Sequence, residues 1–514
     1  MHLTKFIVTL SVVAAVLLVG EFESPAFAQR NASDWPHLTP QGFGLHIASG
    51  EVHHAPWNYN PRDVPGAKSY LQVPFLPASR RGERVDVFVP EKVGKHDRLP
   101  CVVLFYGGGW GGKYTGGLRE ITQDLVARGY VVALPDYVLK AQEPVPTAIW
   151  DGAHAIRWLR ASAARYNIDP TRIGVWGFSA GGWLVQYMTP SSSSTLYSVI
   201  PKEKDRRGER ILVPMLNPHP TIEQPLAVQA VVSDWGCGKY NDARVTDLGG
   251  NWLGANDPPV FTCHNVKNAV PPGSQAYRDA GGSLELCHLE TKSTHVPKGK
   301  TRGVDAAGKP TTWHEAVYDF LDRHVKHPRQ ATAPEAYPAG GLIRSPMKVT
   351  LRSVYPDGAI HFTTDGTEPT QQSPVYREPL TISPGQSLRA IVLKPRLKPS
   401  EVASFDFRKT TDSQPTIQNA QPQYTAHVGQ PFEVKLAADG DDISWNLIGR
   451  RGHVIDRKPT SRESQAWLGI DSSNGVLSGT PTAPGYNVVI VVAHRGEGDE
   501  AHVDARRVVI VVEE

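Results

Sequence analysis

The chain has little cysteine and methionine for its length, since its 514 residues contain four of each. A disulfide scaffold needs a far higher cysteine content, so the fold must depend on buried apolar side chains. The chain also has no strong excess of positive or negative charge, since it contains 54 lysines and arginines and 51 aspartates and glutamates. A nucleic-acid-binding surface is strongly basic, and this near balance therefore predicts no nucleic-acid partner.

Zinc-ligand spacings and long membrane-spanning runs are absent as well. No histidines and cysteines occur at the spacing of a zinc site, so we expect no metal. The apolar run Phe6–Val19 is short for a bilayer span, and no later run is longer. It follows Lys5 and precedes Ala26-Phe27-Ala28, the pattern of a secretory signal peptide over residues 1–28. We therefore expect a secreted or periplasmic protein without a membrane span.

The four cysteines receive two interpretations. Cys101 lies within a predicted buried strand and is expected to pack as a small apolar side chain. Cys237, Cys263 and Cys287 lie on or just after the last predicted strands of the first domain. One disulfide among these three agrees with the sequence, but spacing does not determine which pair forms it.

A chain of this length exceeds one hydrophobic core and predicts roughly two to four domains. Residues 31–328 alternate predicted strands and helices, the α/β pattern of a doubly wound, mostly parallel sheet with helices on both faces. The helix predicted at Thr147–Arg165 has a regular apolar face, which consists of Ile149, Ala153, Ile156, Leu159 and Ala163. A closing helix is predicted at Thr312–Val325.

Two segments of a different class follow. Residues 342–408 and 415–514 contain short strands separated by turn dipeptides such as Asp365-Gly366, which predict two small all-β sandwich domains. The stretches Arg329–Gly341 and Lys409–Pro415 separate the domains and are interpreted as linkers. We therefore expect the domains to fold independently.

The pentapeptide Gly177-Phe178-Ser179-Ala180-Gly181 is the most informative motif of the chain. It follows a predicted strand, Arg172–Trp176, and precedes a helical stretch, Gly182–Met188. A strand, a G-x-S-x-G turn and a helix in this order form a nucleophile elbow, in which the serine hydroxyl stands clear of the sheet. The motif predicts Ser179 as a catalytic nucleophile.

A glycine-rich loop upstream supplies the second part of this chemistry. The predicted buried strand Leu99–Tyr106 leads into Gly107-Gly108-Gly109-Trp110. Glycines leave backbone N–H groups accessible, and an ester hydrolase needs two or more of them to bind the oxyanion. We predict that Gly108 and Gly109 form this oxyanion hole together with the N–H group of Ala180.

These motifs carry a family resemblance. The segments Tyr106–Trp110, Asp169–Gly182 and Asp257–His264 resemble an α/β-hydrolase of the carbohydrate-esterase and feruloyl-esterase-like group. Residues Thr363–Pro369 resemble the signature of the β-domain at the C-terminus of chitobiase-type glycosidases. The last segment, with its turn Ser478-Gly479-Thr480-Pro481, resembles an immunoglobulin-like domain. Such accessory domains are common in secreted bacterial proteins that act on polysaccharides.

The resemblance implies a catalytic triad in the order serine, acid, histidine, each at the carboxyl end of a strand. His295 lies in the loop after the last strand of the sheet, where the family has its histidine, and is the candidate base. His288 lies within that strand and is expected to pack against a helix. His314, His324 and His327 lie on the closing helix or at its end and are expected to face solvent.

The acid departs from the family pattern. After the strand that ends near His264, the position that matches the family's aspartate is Asn268. Three outcomes stay open: Asn268 orients the histidine as a neutral amide, Asp234 after the preceding strand takes the role, or the site is inactive. Tyr106 is a second departure, since the family has a histidine there. We expect the Tyr106 hydroxyl to brace the glycine loop instead.

The sequence therefore predicts a secreted serine carboxylester hydrolase. Ser179 attacks, His295 transfers the proton, and no cofactor is needed. Its expected substrates are acylated polysaccharides, other glycosides or small esters. The alternatives are a non-catalytic carbohydrate-binding protein on a degenerate hydrolase fold, and a secreted serine peptidase. No propeller-like repeat precedes the hydrolase domain, which counts against a peptidase of the prolyl-oligopeptidase class. The oligomeric state does not follow from the sequence.

Overall fold

The computed structural model describes residues that all belong to one compact unit, Pro61–Glu514. The described ranges are 64–75, 84–108, 113, 117–137, 145–188, 197–199, 212–214, 224–234, 257–265, 278, 281–291, 299–337, 340–343, 345–409, 415–421, 423–448, 467–482, 484–495 and 502–514. The predicted signal peptide and Cys237 lie outside these ranges. Of the candidate site residues, Gly109, Asn268 and His295 also lie outside them.

A ten-stranded sheet forms the centre of the first domain. The strands of this domain are β1 (Ala67–Pro74), β2 (Arg84–Pro90), β3 (Leu99–Phe105), β4 (Val131–Pro135), β5 (Ile168–Phe178), β6 (Tyr197–Val199), β7 (Leu212–Pro214), β8 (Ala230–Asp234), β9 (Val260–Asn265), β10 (Leu284–Leu289), β11 (Arg302–Val304) and β12 (Pro310–Thr312). The order in the sheet is β1-β2-β4-β3-β5-β8-β9-β10-β11-β12, and β6 and β7 form a separate ribbon. The strands from β4 to β10 run parallel, and antiparallel strands lie at both edges. This confirms the predicted doubly wound α/β fold.

Helices cover both faces of this sheet. They are α1 (Leu118–Ala127), α2 (Val145–Ala161), a 3₁₀ turn (Ala163–Tyr166), α3 (Ala180–Met188) and α4 (Trp313–Leu321), which continues as a π-helical turn (Asp322–Lys326). The predicted apolar face of α2 is buried along its whole length. Because side chains alternate along a strand, successive residues of β5 contact different layers. Trp176 packs on Trp313 of α4, whereas Gly177 lies against the backbone of Gly181 in α3.

Two pairs of small sheets follow the first domain. The second module contains β13 (Glu335–Tyr337), β14 (Gly341–Ile343), β15 (Met347–Arg352), β16 (Ala359–Thr363), β17 (Leu380–Ile382), β18 (Gln386–Leu393) and β19 (Ala403–Lys409). The third contains β20 (Gln423–His427), β21 (Phe432–Lys435), β22 (Ser444–Ile448), β23 (Leu468–Ile470), β24 (Val476–Gly479), β25 (Gly485–Arg495) and β26 (His502–Glu513). Each module has a three-stranded and a four-stranded sheet around its own buried apolar cluster, as the sequence predicts. Among the helices described, none is both long and apolar enough to cross a bilayer.

The stretch between the first two domains differs from the predicted linker. Within Arg329–Gly341, residues Glu335–Tyr337 form β13 and pair with β15. The carboxylate of Glu335 accepts the backbone N–H groups of Leu226 (3.1 Å) and Ala227, which lead into β8 of the hydrolase domain. Ala227 in turn packs in the apolar cluster of the second module. The two domains are therefore joined by an apolar contact of Ala227 and by the hydrogen bonds of Glu335.

Two buried arginines of α2 lie on the other side of the same backbone segment. Arg160 donates to the carbonyl oxygens of Pro225 and Ala227, and Arg157 donates to that of Gln224. Burial lowers the pKa of Arg160 to about 10 and also lowers the pKa of Arg157. The negative charge of Glu335 acts in the opposite direction and raises both pKa values. Glu335 therefore supplies the negative charge that these two guanidinium groups face.

We expect Glu335→Ala to lower the free energy of unfolding by about 2–4 kcal/mol, because it removes two acceptor bonds and the charge opposite two buried cations. Thermal and urea unfolding measure this loss. The control is Glu378→Ala, since Glu378 is exposed in the same module. Equal stability of the two variants would contradict the prediction. A chain that ends at Pro328 lacks Glu335 and should be destabilised in the same way.

Candidate active site

Ser179 has the geometry of a nucleophile elbow. It follows β5 directly and has a φ of 52°, a left-handed backbone conformation that is costly for any residue other than glycine. Its N–H group donates to the carbonyl oxygen of Asp234 on β8 at 2.8 Å, which holds the turn against the neighbouring strand. Ala180 begins α3, so the N-terminus of this helix faces the serine. Local strain here is maintained by the surrounding strands.

The two outer glycines of the motif are required by close backbone contacts. A Cβ atom on Gly177 would overlap the carbonyl of Gly181 one turn later. A Cβ atom on Gly181 would overlap the carbonyl oxygens of Phe105 and Tyr106 on the adjacent strand. Because backbone atoms cannot move aside as a flexible side chain can, only glycine allows helix α3 to start this close to the sheet.

The glycine loop lies directly against the elbow. A Cβ atom on Gly107 would lie 2.9 Å from the carbonyl oxygen of Phe178 and 3.0 Å from Cβ of Ser179. Gly108 has a φ of 132°, which L-residues rarely adopt. Gly107 therefore lies against Ser179, Gly108 follows it in the loop, and Ala180 begins α3. The oxyanion hole formed by Gly108, Gly109 and Ala180 stays a prediction.

A reciprocal tyrosine pair braces the base of this loop. The Tyr106 hydroxyl donates to the carbonyl oxygen of Tyr137 at 3.0 Å, and the Tyr137 hydroxyl donates to that of Tyr106 at 2.7 Å. The rings are stacked with centroids 4.3 Å apart. Burial raises the pKa of both hydroxyls, so both remain neutral donors. The Tyr106 hydroxyl therefore makes the contact that its expected bracing role requires.

An ion pair holds the far end of the loop. Lys113 follows the glycines and pairs with Asp136, which lies between β4 and Tyr137, and both side chains are almost completely buried. The Lys113 ammonium also lies 5.2 Å from the centroid of the Tyr106 ring. The glycine loop is therefore fixed at both ends to the carboxyl end of β4.

We expect Tyr106→Phe to lower kcat about tenfold, equivalent to about 1.4 kcal/mol of transition-state stabilisation, with little change in KM. The reason is that loss of the hydroxyl leaves the loop less firmly held, while the backbone donors themselves remain. Steady-state kinetics on a small aryl ester measure the effect. Tyr70→Phe is the matched control, because Tyr70 lies on edge strand β1 and its ring packs on Tyr166. The same loss of kcat in both variants would refute the bracing role.

Asp234 is the described carboxylate next to the elbow. It is completely buried, and its Oδ2 accepts the indole N–H groups of Trp176 (2.7 Å) and Trp313 (3.1 Å). Burial raises the pKa of Asp234 to about 7, while the two indoles and the backbone N–H and thiol of Cys263 act in the opposite direction. The side chain therefore joins β5, β8 and α4 beneath Ser179, a role that the sequence does not reveal.

The other candidate histidines take different positions. The expectation that His314 faces solvent is wrong, since it is buried among aromatic rings at the start of α4. His324 is half-buried beside Glu285, and His327 is exposed. His288 lies half-buried in β10. The positions of Asn268, Gly109 and His295 lie outside the described residues, so their roles stay predictions.

The described cysteines are all free thiols. Cys101 is fully buried, as predicted from its strand. Cys263 and Cys287 lie opposite each other on the parallel strands β9 and β10 and are both unbridged. Cys237 lies outside the part of the chain that the structure describes.

Comparison with known families confirms the three predicted resemblances in their predicted order. Residues 85–236 match the BD-FAE family, residues 338–404 the chitobiase/beta-hexosaminidase C-terminal domain, and residues 414–512 an Ig domain family. The first match contains both the glycine loop and the elbow.

Curated esterases are similar to less than a fifth of the chain. Carboxylesterase NlhH of Mycobacterium tuberculosis is 42% identical over 104 residues, which cover 19% of this chain and 30% of the relative. The arylesterase of Saccharolobus solfataricus is 36% identical over 90 residues, which cover 16% of this chain and 28% of the relative. The chain thus spans less than a third of the length of these relatives.

Solved structures resemble the chain over about half of its length. One is a truncated form of a carbohydrate esterase from gut microbiota, with 22% identity and a TM-score of 0.37, which covers 45% of this chain and 90% of that structure. Another is Thermogutta terrifontis esterase 2 phosphorylated by paraoxon, with 22% identity and a TM-score of 0.35, which covers 51% of this chain and 92% of that structure.

Proposed function

We propose that this chain, whose first domain is of the BD-FAE type, is a serine carboxylester hydrolase. The observation that carries the proposal is the strained backbone of Ser179, pressed between the glycine loop and the start of α3. A φ of 52° at a serine is costly, and such strain is typical of catalytic nucleophiles. The BD-FAE match over residues 85–236, which include Ser179, and the similarity to curated esterases support the assignment.

The proposed reaction is acyl transfer through Ser179, with His295 as the base. Ser179 Oγ attacks the carbonyl carbon of the ester, and His295 accepts the hydroxyl proton. The oxyanion receives hydrogen bonds from the N–H groups of Gly108, Gly109 and Ala180. His295 then returns the proton to the departing alcohol and leaves an acyl-serine. Water, deprotonated by the same imidazole, hydrolyses this intermediate and releases the acid.

The proposed substrate is an acylated polysaccharide or glycoside outside the cytoplasm. Two β-domains of kinds common in polysaccharide-acting proteins follow the hydrolase domain, and the N-terminal sequence has the pattern of a signal peptide.

Three assays on the purified full chain separate the candidate functions. We expect hydrolysis of p-nitrophenyl acetate and release of acetate from acetylated xylan, without cleavage of a proline-containing peptide p-nitroanilide. Cleavage of the anilide at a higher kcat/KM than the ester would instead support the peptidase alternative. Binding of the polysaccharide without any ester cleavage would support the degenerate binding protein.

We further propose that Asn268 orients His295 and that Asp234 positions the elbow. The Oδ2 atom of Asp234 is already occupied by two indole N–H groups, and the whole side chain is inaccessible to solvent. An amide can hold an imidazole in place, but it cannot stabilise the imidazolium charge as a carboxylate does.

We therefore expect Asn268→Asp to raise kcat on p-nitrophenyl acetate about tenfold or more, because the imidazolium gains a negative partner. The gain should be largest above the pKa of the new carboxyl group and should disappear in a His295→Ala background. Asn446→Asp, in the third module, is the matched control for adding one negative charge. Unchanged kcat in Asn268→Asp would remove residue 268 from the triad.

A further inference from the structure

A cluster of side chains that can bind a metal ion lies between α1 and α4. Glu120 and Asp124 are one turn apart on α1, and His314 is the second residue of α4. Each offers one ligand atom, and the three atoms all lie within 4.8 Å of one another. The cluster lies apart from Ser179, and the reaction proposed above does not use it.

His314 is the unusual member of this cluster. Its side chain is only 6% exposed, and within the described part of the chain neither ring nitrogen has a hydrogen-bond partner. Its ring packs on Trp176 and Trp313, and the close approach of Gly299, where a Cβ atom would overlap the ring, fixes its position. One of its ring nitrogens lies within 4.8 Å of a carboxylate oxygen of Glu120 and of Asp124. A buried imidazole nitrogen therefore faces two carboxylates.

Asp124 is held in a defined orientation. The Tyr318 hydroxyl on α4 donates to its Oδ2 at 2.8 Å, which leaves Oδ1 able to bind a cation. This is the kind of outer hydrogen bond that orients a metal-binding carboxylate. Arg128, one turn further along α1, pairs with Glu315 and Asp322 instead. Two carboxylates four residues apart on a helix repel each other, and a bound cation would relieve this repulsion.

We propose that Glu120, Asp124 and His314 bind one Zn²⁺ ion, with water as the fourth ligand. One imidazole nitrogen and two carboxylate oxygens are ligands that zinc accepts, and tetrahedral coordination places such atoms about 3.4 Å apart. The three ligand atoms must therefore move closer together when the ion binds, and Glu120 is the exposed member of the cluster. The bound ion fastens α1, which follows the glycine loop, to α4, which holds Trp313 against Asp234. Its role is structural.

The test is calorimetric titration of chelator-treated full-length protein with Zn²⁺, together with thermal unfolding. We expect the wild type to bind one ion and to unfold several degrees higher with zinc than without it, since a ligand that binds the folded state stabilises it. Glu120→Gln should weaken the Kd at least tenfold. Asp319→Asn, which removes an exposed carboxylate from the same helix α4, should bind as the wild type does.

A second measurement separates this site from exposed histidines that bind zinc adventitiously. His327→Asn removes an exposed histidine and should leave the affinity for zinc unchanged. Asp124→Asn removes one of the three proposed ligands and should weaken the Kd at least tenfold. The proposal is overturned if the wild type binds no zinc, if Glu120→Gln binds it equally well, or if Mg²⁺ competes with Zn²⁺ at equal affinity.

Discussion

Ser179→Ala should lower kcat on p-nitrophenyl acetate by about 10⁴-fold or more, because no other group can form the acyl intermediate. The residual rate should come from the oxyanion hole and substrate binding alone. Covalent labelling by a fluorophosphonate probe should be lost together with turnover. Ser162→Ala is the matched control, since Ser162 lies in the same domain and its side chain makes no capping hydrogen bond. Equal labelling of the two variants would show that Ser179 is not the nucleophile.

Ser179→Gly extends this test to the strain at the elbow. Glycine adopts a φ of 52° without steric cost, whereas a serine or alanine there is strained by about 1 kcal/mol or more. We therefore expect Ser179→Gly to be as inactive as Ser179→Ala and at least as stable as it in thermal unfolding. A glycine variant markedly less stable than the alanine variant would contradict a strained elbow.

The nucleophile elbow can be predicted from the sequence because the residues that form it are close together in the chain. The glycines at 177 and 181 are needed by contacts within one turn of chain or with the adjacent strand, and the motif contains both. The same holds for the apolar face of α2, which a regular helical period makes visible. The order of the three domains is equally predictable, since each has its own pattern of elements.

The contacts that sequence reasoning misses join residues far apart in the chain. Asp234 meets Trp176 and Trp313 through three different elements, and no spacing rule connects them. His314 was expected on a solvent face because a short helix gives little periodicity to judge from, whereas Trp176 and Trp313 cover it. Glu335 lies in a stretch whose composition resembles a linker, yet its carboxylate binds the backbone before β8. Long-range pairing overrides local composition at each of these places.

Asp234 connects the stability of the protein to pH. Its carboxyl group has a pKa of about 7 in the folded protein, raised from 3.8 by burial. The folded state therefore holds a proton that the unfolded state releases between about pH 4 and pH 7, so stability falls as pH rises through this window. The groups around the carboxylate are Trp176, Trp313 and the thiol of Cys263. The His314 ring packs on Trp313, and burial lowers the pKa of His314 from 6.5 to about 4. This histidine makes stability rise with pH between about pH 4 and pH 6.5, which is opposite to the effect of Asp234.

Asp234→Asn isolates this effect, because the contribution of His314 is the same in both proteins and cancels in their difference. Asparagine keeps an oxygen acceptor for an indole N–H group but carries no ionisable proton. Relative to the wild type, the free energy of unfolding of the variant should rise by up to about 4 kcal/mol between pH 4 and pH 8, at about 1.4 kcal/mol for each unit of pKa. Urea unfolding at several pH values measures this difference, with Asp319→Asn as the control for an exposed carboxylate. A difference that does not change with pH would mean that Asp234 titrates normally.

The same variant distinguishes a positioning role for Asp234 from a place in the triad. If Asp234 only holds β5, β8 and α4 together, kcat of Asp234→Asn should stay within about tenfold of the wild type at a pH where both are folded. If its carboxylate orients His295 and stabilises the imidazolium, kcat should fall by about 10⁴-fold at every pH. We expect the first result, because Oδ2 of Asp234 already accepts two indole N–H groups and the side chain is wholly enclosed by the core beneath Ser179.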